Sequence, residues 1–464
     1  MKTWISAGAI MGMIAAGLSG QQVRAESLAD AMVMAYRNSP ELATQRANVK
    51  VRGEQAVQAK AGGRLQVSGS IDVSTEFSQL EEFVYPTALS LDVLQPLYTG
   101  GQVENATEAA ETRITAEEAR LISTEQTVLL NTVTAYADVR TGITLVAIAQ
   151  NSVRLISEQL SAARERFDVG EVTRTDVAQA EARLAGGRSD LAAALGNLDA
   201  ARESYKRAVG QYPGKLAPPP PLPELPESLD SAIMISTSDD PAIQAARLER
   251  QAAGSDVRSA IGSLLPQISL VGRVGRTDTL RDDRIAFSNG NAINTALLGL
   301  QIRLPFFSGG ANYSAIREAQ AQVEGRSGDI TTALREAVQR VGFAWSDLRV
   351  ARESIRARQS QVRAATIAFD GVQEEAKVGA RTTLDVLDSE QELLDARGSL
   401  VIARRDEYVA AYNLLFSIGK LTVDHLGLEV GEVEEVSGYY GDVKNRNFGY
   451  DRDDDTVWTL SYRP

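Results

Sequence analysis

The chain carries one histidine, His425, and no cysteine. Disulfides, thiolate metal sites, a catalytic thiol and a lipidated N-terminal cysteine are therefore excluded. A multi-histidine metal site or a His-dependent triad is almost excluded as well, and His425 reads as a surface residue. Carboxylates are what remain. Acidic residues outnumber basic ones 61 to 48, a net charge of −13, which argues against a nucleic-acid partner, since that would need a basic face. The run from Asp451 to Asp455 lacks the Gly and Glu of a calcium loop and reads as solvated tail. Two other aspartates sit in a recurring place. Asp176 follows Thr173 by three residues and Asp385 follows Thr382 by three, the spacing of a helix N-cap pair. Asp388 is three further on, so Asp385 and Asp388 fall on one side of a helix. No nucleophile–base constellation is found, and no enzyme activity, cofactor or metal is expected.

These matching positions belong to an internal duplication. Ser27-Leu28-Ala29-Asp30-Ala31 resembles Ser228-Leu229-Asp230-Ser231-Ala232 at an offset of 201. From Pro96-Leu97-Tyr98-Thr99-Gly100-Gly101 and Pro305-Phe306-Phe307-Ser308-Gly309-Gly310 onward the offset is 209, and it holds as far as Gly210 and Gly419. About 115 residues without a net insertion suit long helices, because one added residue turns everything downstream by about 100°. The first repeat spans 26–210 and the second 228–420. A Pro-rich linker, 211–227, separates them, and 421–464 reads as a peripheral or disordered tail.

Each repeat opens with short helices, the second beginning at Pro40 or Pro241. Strand patterns follow. Leu65, Val67, Ile71 and Val73 alternate with Gln66, Ser68, Ser70 and Asp72, and Leu89, Leu91 and Val93 with Ser90, Asp92 and Gln95. The second repeat has the same pattern over about 267–304. That predicts two strands per repeat (about 65–96 in the first), each about 10 residues long, the length that crosses a bilayer at a tilt. After Gly101 and Gly310 the period becomes helical for about 65 residues, a rod of about 100 Å. Turns at Val169-Gly170 and Val378-Gly379 then start returning helices with leucine heptads, Val177 to Leu198 and Leu387 to Leu415. The helical hairpins cover about 102–210 and 311–419. Periodicity alone leaves open whether they form a simple coiled-coil pair or part of a larger helical barrel.

Residues 1–25 read as an export signal. Lys2 supplies the charge, Ile5 to Leu18 is apolar and too short to span a membrane, and Val23 and Ala25 occupy the small-residue positions before a cleavage point. Glu26 would be the first mature residue. Four amphipathic strands cannot close a barrel alone, so membrane strands would require copies of the chain to join.

This arrangement resembles the TolC-type outer membrane channels over about Glu26 to Lys420. The most specific stretches are Gln95 to Gly101, leaving the strands, and Val378 to Asp388 at the second hairpin tip; Phe167 to Val177 is the diverged first copy. The resemblance implies a mainly α protein with a membrane β-barrel: a homotrimer whose long antiparallel coiled-coil helices form an α-barrel through the periplasm, with a 12-stranded β-barrel, four strands per chain, in the outer membrane. It further implies a periplasmic adaptor, an inner-membrane pump of ABC or RND type, and a role in tripartite efflux or type I protein secretion. Asp385 and Asp388 match the acidic ring of the family's periplasmic gate, where converging carboxylates would repel one another and attract cations; helix capping is the plainer reading of Asp385. Arg381 matches an arginine that holds the gate shut, with Asp176 as its acidic partner. Ala376 stands where the family example has a tyrosine, so part of that latch is missing or replaced. The alternative from another class is a soluble periplasmic coiled-coil adaptor, but the flanking β-rich segments it needs are not found.

Overall fold

The computed structural model describes residues 25–78, 81–281, 292–431 and 436–447. The export signal before Ala25 and the acidic run Asp451 to Asp455 lie outside the described residues.

The duplication is visible element by element. Helices α1 (Leu28–Asn38) and α2 (Pro40–Ala61) in the first repeat correspond to α5 (Leu229–Asp239) and α6 (Pro241–Gly262) in the second. Ser39 and Asp240 cap α2 and α6, each with proline in the first turn, where its missing N–H leaves no bond unmade. The long helices α3 (Gln102–Asp168) and α7 (Ala311–Lys377) are both 67 residues, about 100 Å at 1.5 Å per residue. The returning helices are α4 (Arg174–Val209) and α8 (Thr383–Ser417).

Between the short and long helices lie β1 (Gln66–Val73), β2 (Glu76–Ser78) and β3 (Glu81–Tyr98) in the first repeat, and β4 (Gln267–Arg281) and β5 (Ile293–Arg303) in the second. All pairings are antiparallel, in the order β1-β3-β4-β5, with β2 paired to β3. The two strands expected in the first repeat are thus three elements. Chain order places β2 after a break at Ser74-Thr75, and the register shifts within it, so β1 and β2 act as one interrupted strand on β3. The offset is still 201 at the first strand of each repeat, Gln66 and Gln267, and 209 by Pro96 and Pro305, so the change falls within these hairpins. Pairing of β3 with β4 joins the repeats in one sheet.

The chain divides into two compact units. One comprises Ser39–Leu130, Pro223–Glu353 and Val409–Pro464, and holds the sheet. In it Val49, Ala56, Ile114 and Val436 form a buried apolar cluster. Part of the segment expected to be peripheral is therefore packed: Val436 is buried, and the short helix α9 (Tyr439–Val443) lies on α2, with Tyr439 Oη donating to Glu54 Oε1 at 2.8 Å and Tyr440 Oη to Glu111 Oε1 at 2.7 Å. Tyrosine rings supply apolar area that the Gly- and Asp-rich composition conceals. The other unit comprises Met1–Asn38, Asn131–Leu222 and Ser354–Tyr408. One of its apolar clusters joins α3, α4 and α8 through Ile156, Leu160, Ala180, Leu184 and Leu387, and another joins α7 and α8 through Ala365, Leu393 and Ala396.

The exit from β3 into α3 depends on one glycine. Gly100 has φ +68°, and a Cβ there would lie 2.4 Å from the Gly262 carbonyl oxygen. Both the left-handed backbone and the close approach demand glycine. Gly100→Ala is expected to lower stability by about 2–4 kcal/mol, read as a fall in the midpoint of chemical unfolding.

Candidate functional site: the amphipathic sheet and the hairpin tips

Side chains alternate across a strand, so the register fixes what each face of the sheet carries. On one face the rows are Val67–Val93–Gly272–Leu298, then Gly69–Leu91–Val274–Ala296, with Gln95–Leu270–Leu300 and Tyr98–Ile268–Ile302 at one end and Ile71–Leu89–Arg276–Asn294 at the other, where polar residues border the apolar rows. Most of these apolar side chains are exposed, Leu298 by 79% and Ile71 by 73%. A continuous apolar surface of this kind is not left in water. Eight residue steps of about 3.3 Å give a belt of about 26 Å, close to the ~25 Å band of outer membrane barrels.

The opposite face carries Gln66, Ser68, Ser70, Asp72, Ser90, Asp92, Arg273, Gln301 and Arg303, with Ala88 and Leu94 of β3, Val271 of β4 and Ile293 and Leu297 of β5 as apolar exceptions. Its polar groups bond to one another. Arg273 Nε donates to Asp92 Oδ1 at 2.5 Å, Ser90 Oγ to Asp92 Oδ2 at 3.0 Å, and the Ser70 and Ser90 hydroxyls are 2.9 Å apart. This is a surface for water. Strands β1 and β5 are the sheet's outer members. No described helix is long and apolar enough to cross a membrane.

The two hairpin tips have the same construction. Gly170 (φ 80°) and Gly379 (φ 76°) follow α3 and α7, and at each turn the glycine N–H and that of the next residue, Glu171 or Ala380, donate back to carbonyls of the last helical turn. Thr173 caps α4: its N–H donates to Asp176 Oδ2 at 2.8 Å, and the Asp176 N–H returns to Thr173 Oγ1 at 3.4 Å. Thr382 and Asp385 repeat this at 2.9 and 3.2 Å. The threonine N–H, then the hydroxyl, hold both aspartates below the usual carboxylate range, so both are ionised at neutral pH.

The four residues singled out from the sequence are all at the tips but take different partners. Arg381 Nε donates to Glu375 Oε2 at 2.8 Å, in its own hairpin, and Asp176 is held by Thr173. Asp388 is ion-paired with Arg183 of α4. Near the tips the two hairpins are bridged by Asp388–Arg183, beside Leu387 inserted among Ile156, Leu160, Ala180 and Leu184; farther along, Arg405 of α8 pairs with Asp138 of α3 at 2.6 Å. Ala376 accepts the Gly379 N–H through its carbonyl at 3.1 Å; its side chain offers no latch.

Arg183 and Glu390 are the residues sequence reasoning missed, and both left a signal. Arg183 is seven residues beyond Asp176, on the same helix face. Glu390 is three beyond Leu387, the complementary core position of that heptad. It is 3% exposed, and its Oε1 has no hydrogen-bond partner. Burial pushes its carboxyl up to about 7, against the pull of Arg154; Glu158 adds to the rise, both residues lying on α3. Among the described residues no cluster of His, Cys, Asp and Glu could hold a metal ion.

A sheet with one lipid-compatible face and one water-compatible face, carried by a chain of long helical hairpins, defines a class: outer membrane channels built from both elements. The outer membrane efflux protein family matches residues 31–211 and 235–420, and the chain belongs to it. It is 35% identical over 432 residues to the outer membrane efflux protein BepC of Brucella suis biovar 1 (strain 1330), covering 93% of each chain. It is 28% identical over 311 residues to outer membrane protein TolC of Escherichia coli (strain K12), covering 65% of this chain and 63% of TolC. The fold matches the Campylobacter jejuni CmeC outer membrane channel with a TM-score of 0.74 at 17% identity, over 90% of this chain and 89% of that one. The protein is an outer membrane efflux channel and not an enzyme.

Glu390 makes the hairpin contact pH-dependent. A raised carboxyl pKa adds stability fully below its ordinary 4.5 and loses it as pH rises through about 7. Glu390→Gln is expected to abolish most of the stability difference between about pH 5 and 8 and to gain on the order of 2 kcal/mol at the higher pH, measured by chemical unfolding followed by circular dichroism.

Proposed function

We propose that three copies of the chain close a 12-stranded barrel in the outer membrane, and that their hairpins form a tunnel through the periplasm serving as the exit duct of a tripartite efflux pump or of type I protein secretion. The observation that carries this reading is the sheet itself: four strands in series with an exposed apolar face and outer strands β1 and β5. Lipid does not tolerate unpaired edges, and bacterial barrels begin at eight strands, so copies must pair edge to edge. A periplasmic adaptor and an inner-membrane pump of ABC or RND type would dock on the hairpins. The soluble-adaptor alternative gives such a face no purpose.

At the periplasmic end, Asp385 and Asp388 of three chains would form an acidic ring that favours cations. Asp385, ionised and exposed, supplies the steady charge; Asp388 shares its charge with Arg183. Arg381 and Asp176 would hold the closed tip through contacts remade between hairpins or between chains. An exposed Arg–Asp pair is worth about 0–1 kcal/mol, weak enough for a docking adaptor to break.

Single-channel recording in planar bilayers tests both parts. A small, cation-selective conductance is expected; Asp385→Ala/Asp388→Ala should reduce the selectivity severalfold, and Arg183→Ala, which frees Asp388, should increase it. Conductance unchanged by these substitutions would reduce the aspartates to helix caps. Failure to insert, with the protein remaining soluble, would remove the channel reading.

A further inference from the structure

Glu26 is held as a ligand is held. Its N–H donates to the Lys215 carbonyl at 2.9 Å, and its own carbonyl accepts from the Ala217 N–H at 2.8 Å. The Tyr136 hydroxyl lies between the carbonyls of Glu26 and Ala217, at 3.2 and 2.8 Å. The carboxylate accepts from Tyr205 Oη at 2.5 Å through Oε1 and from the Gly214 N–H at 3.0 Å through Oε2. Every polar group of the residue is satisfied, and both tyrosines are fully buried. The partners come from α3, α4 and the linker, so one residue ties the inter-repeat segment to the helices of its unit.

The cradle is acidic around its two tyrosines. The carboxylates of Glu26 and Asp30 both act on Tyr205 and Tyr136 and help burial push their hydroxyls up, while Arg140 alone opposes them, at Tyr136. Arg140 also donates to the Leu216 carbonyl at 3.1 Å. The Glu26 carboxylate thus sits in a partly dehydrated site, where a cation beside it is favoured. The sequence supplies one. Val23 and Ala25 mark the Ala25–Glu26 bond for cleavage.

We propose that this cradle is a receptor for the chain's own processed N-terminus. An exported-protein endopeptidase hydrolyses the Ala25–Glu26 bond. Water's oxygen goes to the Ala25 carbonyl carbon, giving a carboxylate on the departing 1–25 segment, and the Glu26 nitrogen leaves as an amine that is protonated. The resulting α-ammonium keeps the bond to the Lys215 carbonyl, now as a charge-assisted one, and places a positive charge beside the Glu26 carboxylate. Processing therefore completes a clasp on the linker as well as releasing the chain. This goes beyond the channel reading and holds whatever the cargo.

The test uses mature protein from outer membranes. Intact-mass measurement should place the N-terminus at Glu26; a start elsewhere overturns the proposal. Labelling of the α-amine by an amine-reactive ester near neutral pH should be about tenfold slower in the folded protein than in urea, and equal rates overturn it. A variant with Ala-Ser inserted between Ala25 and Glu26 moves the ammonium two residues away. It should unfold at lower temperature, as should Tyr205→Phe, and the two changes together should cost less than their sum. An unchanged midpoint in the insertion variant overturns the proposal; should that variant not fold, the labelling rates on the unaltered protein decide.

Discussion

Hydrocarbon offers neither donors nor acceptors, so a strand lying in it must give every N–H and C=O to a neighbour. Most of what distinguishes this chain answers to that requirement. Each repeat contributes one strand hairpin, too little to be stable alone. Pairing of β3 with β4 merges the two hairpins into one sheet, and the apolar face is continuous only because the register puts Val93, Gly272 and Leu298 in one row. A slip of one residue would turn Asp92 and Arg273 toward lipid. The Asp92–Arg273 pair resists that slip, since a charged pair bonded across two strands fixes which residues stand opposite.

The hairpins obey a different constraint, that of helix ends. Four terminal N–H groups per helix must find partners, and the tips meet this with the same Thr–Asp box in both repeats. The box binds Asp176 and Asp385 into local geometry, and it leaves Asp388, one turn on, to reach another helix. Capping and a gate are thus not competing readings of one pair. Asp385 does the first while its exposed charge remains available for the second.

Elements with strong periodicity were legible in the sequence: the long helices, the strand alternation, the Gly-marked turns and the duplication. These depend on local spacing. The two-turn relation of Arg183 to Asp176 and the heptad position of Glu390 were also present, but what they meet lies on another helix, and a single chain's pattern does not name the partner. The packing of Val436, Tyr439 and Tyr440 was hidden by composition, since three apolar side chains sit in a stretch otherwise rich in Gly, Asp and Glu. The partners of Arg381 illustrate the same limit: Glu375 is six residues away across the turn, and only the turn's geometry brings it closer than Asp176.

The junction between β3 and β4 also sets an order in time. Leu91 and Val274 stand side by side in the sheet, yet α3, α4 and the whole linker separate them in the chain. Contacts between residues so distant in sequence form late, because the intervening chain must first be confined. A chain threaded out N-terminus first therefore exposes β3 as an unpaired, apolar edge until the second repeat has followed. Such an edge invites pairing with the wrong neighbour. The sheet therefore cannot be completed until both repeats are present, however early β1 and β3 meet.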